Sequence, residues 1–156
     1  MSEVTSVVFA GLGGQGVLTA SDIFADVVFE AGVDVKKSEI HGMSQRGGSV
    51  TTEVRFGDCV LSPMVPPGEA DFLVVLESSQ IENNQWTLKK GGVLLEPGMI
   101  DSARLENKKA LNVAMLGLLS AKLDFAADVW SRVIAARVPE RLREVNAAAF
   151  KLGAES

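Results

Sequence analysis

The sequence has one cysteine, Cys59, among its 156 residues. One thiol cannot form a disulfide within the chain, and it cannot supply the several thiolates that a structural zinc site or an iron–sulfur cluster requires. We therefore expect a reducing compartment and a chain that holds no metal by itself. Because Val60 and Leu61 follow it directly, the Cys59 side chain is expected to be a small buried hydrophobe.

Basic residues and long apolar runs are also scarce, which excludes two further classes of function. The chain has 15 basic and 20 acidic residues, a net charge of −5 and an isoelectric point near 4.9. Its lysines and arginines form no stripe of the kind that marks a nucleic-acid surface. The apolar run Val4–Ala10 is too short to span a membrane, and no basic region precedes it. The sequence thus predicts a cytoplasmic protein that binds neither nucleic acid nor membranes.

The order of apolar patterns predicts an α/β fold. A β-branched, nearly continuous apolar run at Val4–Ala10 is typical of a strand buried on both faces of a parallel sheet. Apolar residues then recur at helical spacing from Val17 to Ala31, and Gly32 stands where a glycine ends a helix. A second strand at Val33–Ile40 completes a strand–helix–strand unit with a right-handed crossover. Two further central strands are predicted at Ala70–Glu77 and Val93–Pro97.

A short antiparallel strand pair is predicted between the second and third of these strands. Apolar and polar residues alternate from Val50 to Phe56, which is typical of a half-buried strand. Gly57 and Asp58 then form a turn, and Cys59–Leu61 is expected to pair back on the first strand of the pair.

Helical patterns occupy most of the rest of the chain. We predict a short helix at 79–88, a helix buried on all sides at Leu111–Leu123, a third at 128–138, and a last helix that begins at Pro139 and ends at Gly153. No linker, repeat or low-complexity segment divides the sequence, so residues 1–156 are predicted to form a single domain. The predicted fold is a three-layer, Rossmann-like open sheet, mostly parallel, with the short antiparallel strand pair and C-terminal helices.

A glycine-rich loop follows the first strand. Gly11, Gly13 and Gly16 have the spacing G-x-G-x-x-G, which lets backbone amides approach an anion at the positive N-terminus of a helix. The spacing alone is compatible with a dinucleotide site, with another ligand or partner, or with a tight turn that only packs strand against helix. Gln15 is unusual here, because its amide is expected to point out of the loop toward a ligand or partner.

A dinucleotide site would also need an acidic residue at the end of the second strand, to bind a ribose hydroxyl. Asp34 lies 23 residues after Gly11, but it falls near the start of that strand. Glu39 lies near the correct end of the strand, but it is farther from the glycines than the usual spacing. The pattern therefore favours a dinucleotide less than the glycines alone would.

A second unusual loop, "SEIHGMSQRGGSV" (Ser38–Val50), follows the second strand. In an open parallel sheet, it would lie at the same carboxyl edge as the glycine loop. It contains the only histidine, His41, together with Arg46 and the pair Gly47-Gly48. A mobile, solvated loop is the plain alternative, and no cysteine, aspartate or serine arrangement supports a nucleophilic triad.

The two loops together resemble a known family. "GLGGQGVLTAS", "EIHGMSQRGGSVTTEVRFG" and "ADFLVVLE" are similar to the gamma-type subunit of the 2-oxoacid:ferredoxin oxidoreductases, a group that includes the small subunit of the indolepyruvate enzymes. The resemblance continues through "NVAMLG" to "ARVPERLREVNAAAFKLG" and so covers nearly the whole chain. The stretch between Pro97 and Asn112 is compact beside that of other family members.

The resemblance implies an activity shared between subunits. Enzymes of this family convert a 2-oxoacid and coenzyme A to an acyl-CoA and carbon dioxide and reduce ferredoxin, with thiamine diphosphate and iron–sulfur clusters as cofactors. This chain would be the gamma-type catalytic domain of such an oxidoreductase and would bind no cofactor alone. Thiamine diphosphate, CoA and [4Fe–4S] clusters would enter the complex through partner subunits, which also pass electrons to ferredoxin. The isolated chain would be inactive and could form a homodimer.

The resemblance also suggests which residues lie near the cofactors, with no catalytic residue assigned. Arg46 could bind a phosphate or a substrate carboxylate, or anchor an interface ion pair. His41 could donate a hydrogen bond, and Met43 is expected to pack at an interface. Both loops would face the partner subunits close to the thiamine diphosphate and CoA sites. The candidate cofactor-binding residues are Gly13, Gly14, Gln15, Gly16, His41, Ser44, Gln45, Arg46, Gly47 and Gly48.

Two other hypotheses remain from the sequence. The chain could be a stand-alone Rossmann-like module that binds NAD or FAD through the glycine loop. It could instead be a subunit with only a structural role in assembly, in which case the two loops would form contacts and no cofactor site.

Overall fold

The structure, a computed structural model, describes residues 3–41, with only the backbone of His41, and residues 48–156. The strands are β1 Val4–Leu12, β2 Asp34–His41, β3 Ser49–Gly57, β4 Ala70–Val75 and β5 Leu88–Leu95. The helices are α1 Val17–Glu30, α2 Ile81–Asn84, α3 Leu111–Ser120, α4 Ala127–Arg137 and α5 Arg143–Ala154. Short 3-10 turns include Ser78–Gln80, Gln85–Thr87, Lys108–Ala110 and Glu140–Leu142.

The five strands form one sheet in the order β2-β3-β1-β4-β5. β1 pairs in parallel with β4, and β4 pairs in parallel with β5. β3 is antiparallel to both of its neighbours, β1 and β2. Four strands therefore run in one direction and only β3 runs against them, so the predicted open, mostly parallel α/β sheet is confirmed. β1, α1 and β2 form the predicted strand–helix–strand unit, with β3 inserted between its two strands.

The two faces of the sheet are covered differently. α1, α3, α4 and α5 pack on one face, where the ring of Phe24 lies 5.9 Å from Phe9, 5.6 Å from Phe56 and 5.9 Å from Trp130, measured between centroids. The other face carries a smaller apolar cluster that includes Leu73 of β4 and is covered by α2 and by the segment that leads into β4. These are the three predicted layers, and the aliphatic and aromatic residues of the first face form most of the core.

The predicted antiparallel partner of β3 is wrong. Cys59–Leu61 has no strand structure, and β3 pairs with β1 and β2. Between Val60 and Met64, side chains bond to three backbone groups in place of a ladder. Asp34 accepts a hydrogen bond from the Val60 N–H at 2.7 Å, and Arg55 donates to the carbonyls of Ser62 and Met64 at 3.0 and 3.1 Å. Without a pairing strand above it, Cys59 is exposed, and its predicted burial is also wrong.

Two predictions at the last helix need correction. Pro139 precedes a 3-10 turn, and α5 begins at Arg143. Gly153 lies inside α5 and does not end it, because the helix continues to Ala154. Its role is packing: a Cβ on Gly153 would lie 2.8 Å from the carbonyl carbon of Ala114 on α3. The glycine permits the two helix backbones to touch.

Glu53 on β3 is a carboxylate in the sheet interior, with 6% of its surface exposed. It accepts a hydrogen bond from the Val65 N–H at 3.3 Å, and Arg55 lies near it. Burial nevertheless raises the pKa of Glu53 above its ordinary value, because desolvation outweighs the hydrogen bond and the nearby cation. The folded chain thus holds this proton to a higher pH than the unfolded chain does.

We expect Glu53→Gln to flatten the pH dependence of stability. A raised carboxyl pKa in the folded state means that the free energy of unfolding falls as pH rises through the pKa of the unfolded carboxyl and then that of Glu53. Glutamine has no proton to lose and keeps an oxygen for Val65, so the variant should gain stability over the parent as pH increases. Urea unfolding between pH 4 and pH 8 measures this. The exposed Glu106→Gln is the control, and equal profiles for both variants would contradict the prediction.

Candidate functional site

The glycine loop, Gly11–Gly16, includes the last two residues of β1 and joins that strand to α1. Gly14 and Gly16 have φ of 88° and 84°, a left-handed backbone conformation that residues with a Cβ rarely adopt. The first turn of α1 carries no acidic side chain. A helix N-terminus of this kind attracts anions, because its amides and its dipole both present positive charge.

Gln15 is turned inward, which corrects its predicted orientation. Its Oε1 accepts a hydrogen bond from the Leu12 N–H at 2.7 Å, and its Nε2 donates to Oε1 of Glu77 at 2.9 Å. Glu77 lies just beyond β4, the parallel neighbour of β1. The amide therefore braces the glycine loop against the next strand and does not reach outward.

Asn112 contacts the loop from α3. It lies in the first turn of α3, is 8% exposed, and donates from Nδ2 to the Gly16 carbonyl at 3.3 Å. Its Oδ1 accepts from the N–H of Val113 at 2.9 Å. A Cβ on Gly16 would lie 2.5 Å from Nδ2 of Asn112 and would displace that amide, and the φ of 84° favours glycine independently.

A cleft of about 430 Å³ opens beside the loop. Two lysine side chains, Lys108 and Lys109, line it from the 3-10 turn that leads into α3, and both are exposed. The cleft thus combines two cations with the N-terminus of α1, which suits a phosphorylated ligand. Its lining is Gly14, Gln15, Gly16, Leu76, Lys108, Lys109, Leu111 and Asn112.

The second predicted loop begins and ends at the same edge of the sheet. His41 is the last residue of β2 and is paired with Val50, and the Gly13 N–H donates to the Gly48 carbonyl at 2.9 Å. The first loop is therefore bonded directly to the end of the second. The side chain of His41 and the predicted cofactor-binding residues Ser44, Gln45, Arg46 and Gly47 lie outside the described residues, as do Gly42 and Met43 of the same loop.

The acidic residues considered for a dinucleotide both bond to other groups of the chain. Asp34 begins β2 and pairs with Gly57 at the opposite end of the sheet, where its carboxylate holds the Val60 N–H. Glu39 forms an ion pair with Lys37 at 3.2 Å. Neither arrangement provides the ribose contact that the dinucleotide hypothesis needs.

Sequence reasoning missed Glu77, Asn112 and the two lysines as parts of this site. Glu77 is the last residue of a predicted central strand. Because ligands bind at the carboxyl ends of such strands, its position could have identified it as a site residue. Asn112 and the lysine pair are far along the chain from the loop, and only tertiary packing brings them to it. Among the residues that the structure describes, no group of three or more histidine, cysteine or carboxylate side chains could hold a metal ion.

Within residues 3–41 and 48–156, no helix has both the length and the apolar character required to cross a membrane.

Comparison with known sequences gives one consistent family. The family model "Pyruvate ferredoxin/flavodoxin oxidoreductase" matches residues 6–97. Indolepyruvate oxidoreductase subunit IorB of Pyrococcus horikoshii is 31% identical, over 97% of this chain and 95% of that protein. The common subunit gamma of the pyruvate/ketoisovalerate oxidoreductases of Thermococcus kodakarensis is 35% identical over 56% of this chain and 48% of its own.

Solved structures agree with the sequence matches. The gamma subunit of a keto/oxoacid ferredoxin oxidoreductase from Geobacter sulfurreducens has a TM-score of 0.82 and 26% identity, over 97% of this chain and 96% of its own. The 2-oxoglutarate:ferredoxin oxidoreductase of Magnetococcus marinus, a structure with 2-oxoglutarate, coenzyme A and succinyl-CoA bound, has a TM-score of 0.86. At 18% identity over 98% of this chain and 31% of that one, it supports the fold alone.

The alignment with the Pyrococcus subunit spans 191 positions, more than the 156 residues of this chain, so the relative contains segments that this chain lacks. The match nonetheless extends over nearly the full length of both proteins. The chain belongs to the pyruvate ferredoxin/flavodoxin oxidoreductase family and is a subunit of a 2-oxoacid:ferredoxin oxidoreductase.

Proposed function

We propose that this chain is the gamma-type subunit of an enzyme that oxidatively decarboxylates a 2-oxoacid with CoA, and that its glycine loop binds a diphosphate near the subunit interface. The observation that carries the proposal is the cleft that Gly14, Gly16, Lys108 and Lys109 line together. Both thiamine diphosphate and coenzyme A contain a diphosphate, so the proposal concerns the group they share.

The residues of the cleft fit a diphosphate. The loop amides at Gly14 and Gly16 and the α1 N-terminus would hold phosphate oxygens, and the two lysines would neutralise their charge. When bound, thiamine diphosphate supplies a carbanion for attack on the keto carbon, and coenzyme A supplies the thiol that accepts the acyl group. This chain's contribution is to bind and orient the anionic end of the cofactor.

Iron–sulfur clusters do not fit this chain, since Cys59 is its only cysteine and a cluster needs several thiolates. We therefore assign the clusters and the electron transfer to partner subunits, and we expect no decarboxylation by the isolated chain. The relatives named above are themselves subunits, which supports such partners. Indolepyruvate is the first oxoacid to test, because the Pyrococcus relative aligned over nearly its full length is an indolepyruvate oxidoreductase subunit.

The double variant Lys108→Ala/Lys109→Ala tests the proposal in the complex assembled with its partner subunits. Two exposed lysine contacts of about 0.7 kcal/mol each correspond to a loss of roughly tenfold in affinity. We expect the KM for CoA, or the Kd for thiamine diphosphate, to rise by about this factor with a smaller change in kcat. The constant that rises identifies which diphosphate lies in the cleft.

The matched control is Lys89→Ala/Lys90→Ala, an adjacent lysine pair on β5. If neither constant moves in the Lys108/Lys109 variant while the complex still assembles, the diphosphate proposal is wrong. Failure of assembly would indicate an interface role for this edge. Micromolar binding of NAD or FAD by the isolated chain, measured by titration calorimetry, would favour the stand-alone nucleotide module.

A further inference from the structure

The glycine loop is held in place by two side chains that lie outside it, Glu77 and Asn112. We propose that these are positioning residues: Glu77 fixes the loop through the Gln15 amide, and Asn112 fixes it through the Gly16 carbonyl. The inference rests on the proposed function, since it concerns how the loop keeps the shape that a diphosphate requires. We call Gln15, Glu77 and Asn112 the loop clamp.

The loop needs such a clamp because of its composition. Four of the six residues from Gly11 to Gly16 are glycine, the residue with the greatest backbone freedom. Backbone amides bind a phosphate well only if their N–H groups already point at it, and small errors in placement weaken a site strongly. Glycine gives this loop little stiffness of its own, so its order depends on hydrogen bonds, and side chains outside the loop supply two of them.

Glu77 acts on the β1 side of the loop. Its carboxylate accepts from Nε2 of Gln15 at 2.9 Å, while Oε1 of Gln15 accepts from the Leu12 N–H at 2.7 Å. The amide therefore forms a bridge from the tip of β4 to the start of the loop. A glutamine at position 77 would keep an acceptor oxygen for this bridge and would lose only the negative charge.

Asn112 acts on the α1 side. It is nine-tenths buried, and its Nδ2 donates to the carbonyl of Gly16, the residue that caps α1. Asn146 on α5 offers a close structural counterpart: it is 7% exposed, and its Nδ2 donates to the Leu142 carbonyl at 2.9 Å, away from the loop. Comparison of the two asparagines separates an effect on the loop from a loss of stability.

The test uses the variants Glu77→Ala, Glu77→Gln, Asn112→Ala and Asn146→Ala. In the assembled complex, we expect Glu77→Ala and Asn112→Ala to raise the KM for CoA, or the Kd for thiamine diphosphate, by about fivefold, as expected for one lost hydrogen bond. Glu77→Gln should restore the constant to within about twofold because it keeps the bridge. Asn146→Ala should lower Tm about as much as Asn112→Ala and leave the constants unchanged.

A second readout needs no cofactor. Hydrogen–deuterium exchange of peptides that cover Gly11–Val17 in the folded subunit reports the order of the loop itself. Glu77→Ala and Asn112→Ala should accelerate exchange there, and Glu77→Gln and Asn146→Ala should not. Unchanged exchange in Glu77→Ala and Asn112→Ala would overturn the clamp, as would equal acceleration in Asn146→Ala.

The two readouts separate the clamp from the proposed function. If the Lys108/Lys109 variant raises a cofactor constant and neither Glu77→Ala nor Asn112→Ala does, the diphosphate site stands and the positioning role is wrong. If the lysine variant leaves the constants unchanged while Glu77→Ala accelerates exchange in the loop, the clamp stands and the diphosphate proposal is wrong.

Discussion

Gly153→Ala is expected to reduce the free energy of unfolding by about 3 kcal/mol or more, as overpacking of a tight contact does. A loss of stability is unusual for this substitution in a helix interior, where alanine normally stabilises by about 1 kcal/mol relative to glycine. A Cβ at this position would overlap the carbonyl oxygen of Ala114 and lie 3.1 Å from the Cα of Gly117. These are backbone atoms of α3, so the two helices would have to separate.

Gly117 faces the same contact from the other helix. A Cβ there would overlap the carbonyl oxygen of Phe150 and lie 2.7 Å from the backbone nitrogen of Ala154. α3 is buried almost all round, from Asn112 to Leu119. Separation of α5 from α3 would therefore open the apolar core and not only a surface groove.

Thermal and urea unfolding measure this effect. For a chain of this length, a loss of 3 kcal/mol corresponds to a decrease in Tm of about 10 °C. Gly98→Ala is the control, because Gly98 is exposed and the nearest atom to an added Cβ is the flexible Glu96 carboxylate at 3.2 Å. A Gly153→Ala variant as stable as the parent would show that α3 and α5 are not in backbone contact.

The two roles considered for Gly153 show what sequence patterns can predict in this fold. A glycine near the end of a helical pattern is consistent with a C-terminal cap, and Gly32 after α1 occupies such a position, with φ of 80°. Gly153 carries the same local signal but serves a partner helix that is remote in sequence. Strands and helices were predictable because their apolar periodicity is local, whereas the purpose of a glycine depends on what packs against it.

The candidate site divides in the same way. The glycine loop, and the fact that the second loop begins and ends at the same edge of the sheet, follow from the order of strands along the chain, and both are predictable. The inward turn of Gln15 is not, because its partner Glu77 is 62 residues away, and Asn112 is 96 residues from Gly16. The insertion of β3 between β1 and β2 likewise arises from long-range pairing, which left Cys59–Leu61 without the strand predicted for it.

Trp130→Ala is expected to destabilise the protein by about 4 kcal/mol, as removal of a large buried aromatic side chain does. Trp130 is 1% exposed, its ring stacks on Phe24 at 5.9 Å, and it lies 5.2 Å from the ring of Phe150. It therefore joins α1, α4 and α5 in one aromatic cluster. Trp86 is the matched control, since it is 63% exposed and its Nε1 donates to the Asn83 carbonyl.

Trp130→Phe distinguishes packing from polarity at the same position. Within the described part of the chain, the Nε1 of Trp130 has no hydrogen-bond partner, and a buried polar group in that state is unfavourable by about 1–3 kcal/mol. Phenylalanine removes this group and retains most of the apolar ring, so we expect it to lose much less stability than alanine. Urea unfolding followed by circular dichroism compares the variants, with Trp86→Ala expected to change stability by less than about 1 kcal/mol. Equal losses of stability for phenylalanine and alanine would contradict this prediction. They would mean that the indole N–H, and not the packing of the ring, holds Trp130 in place.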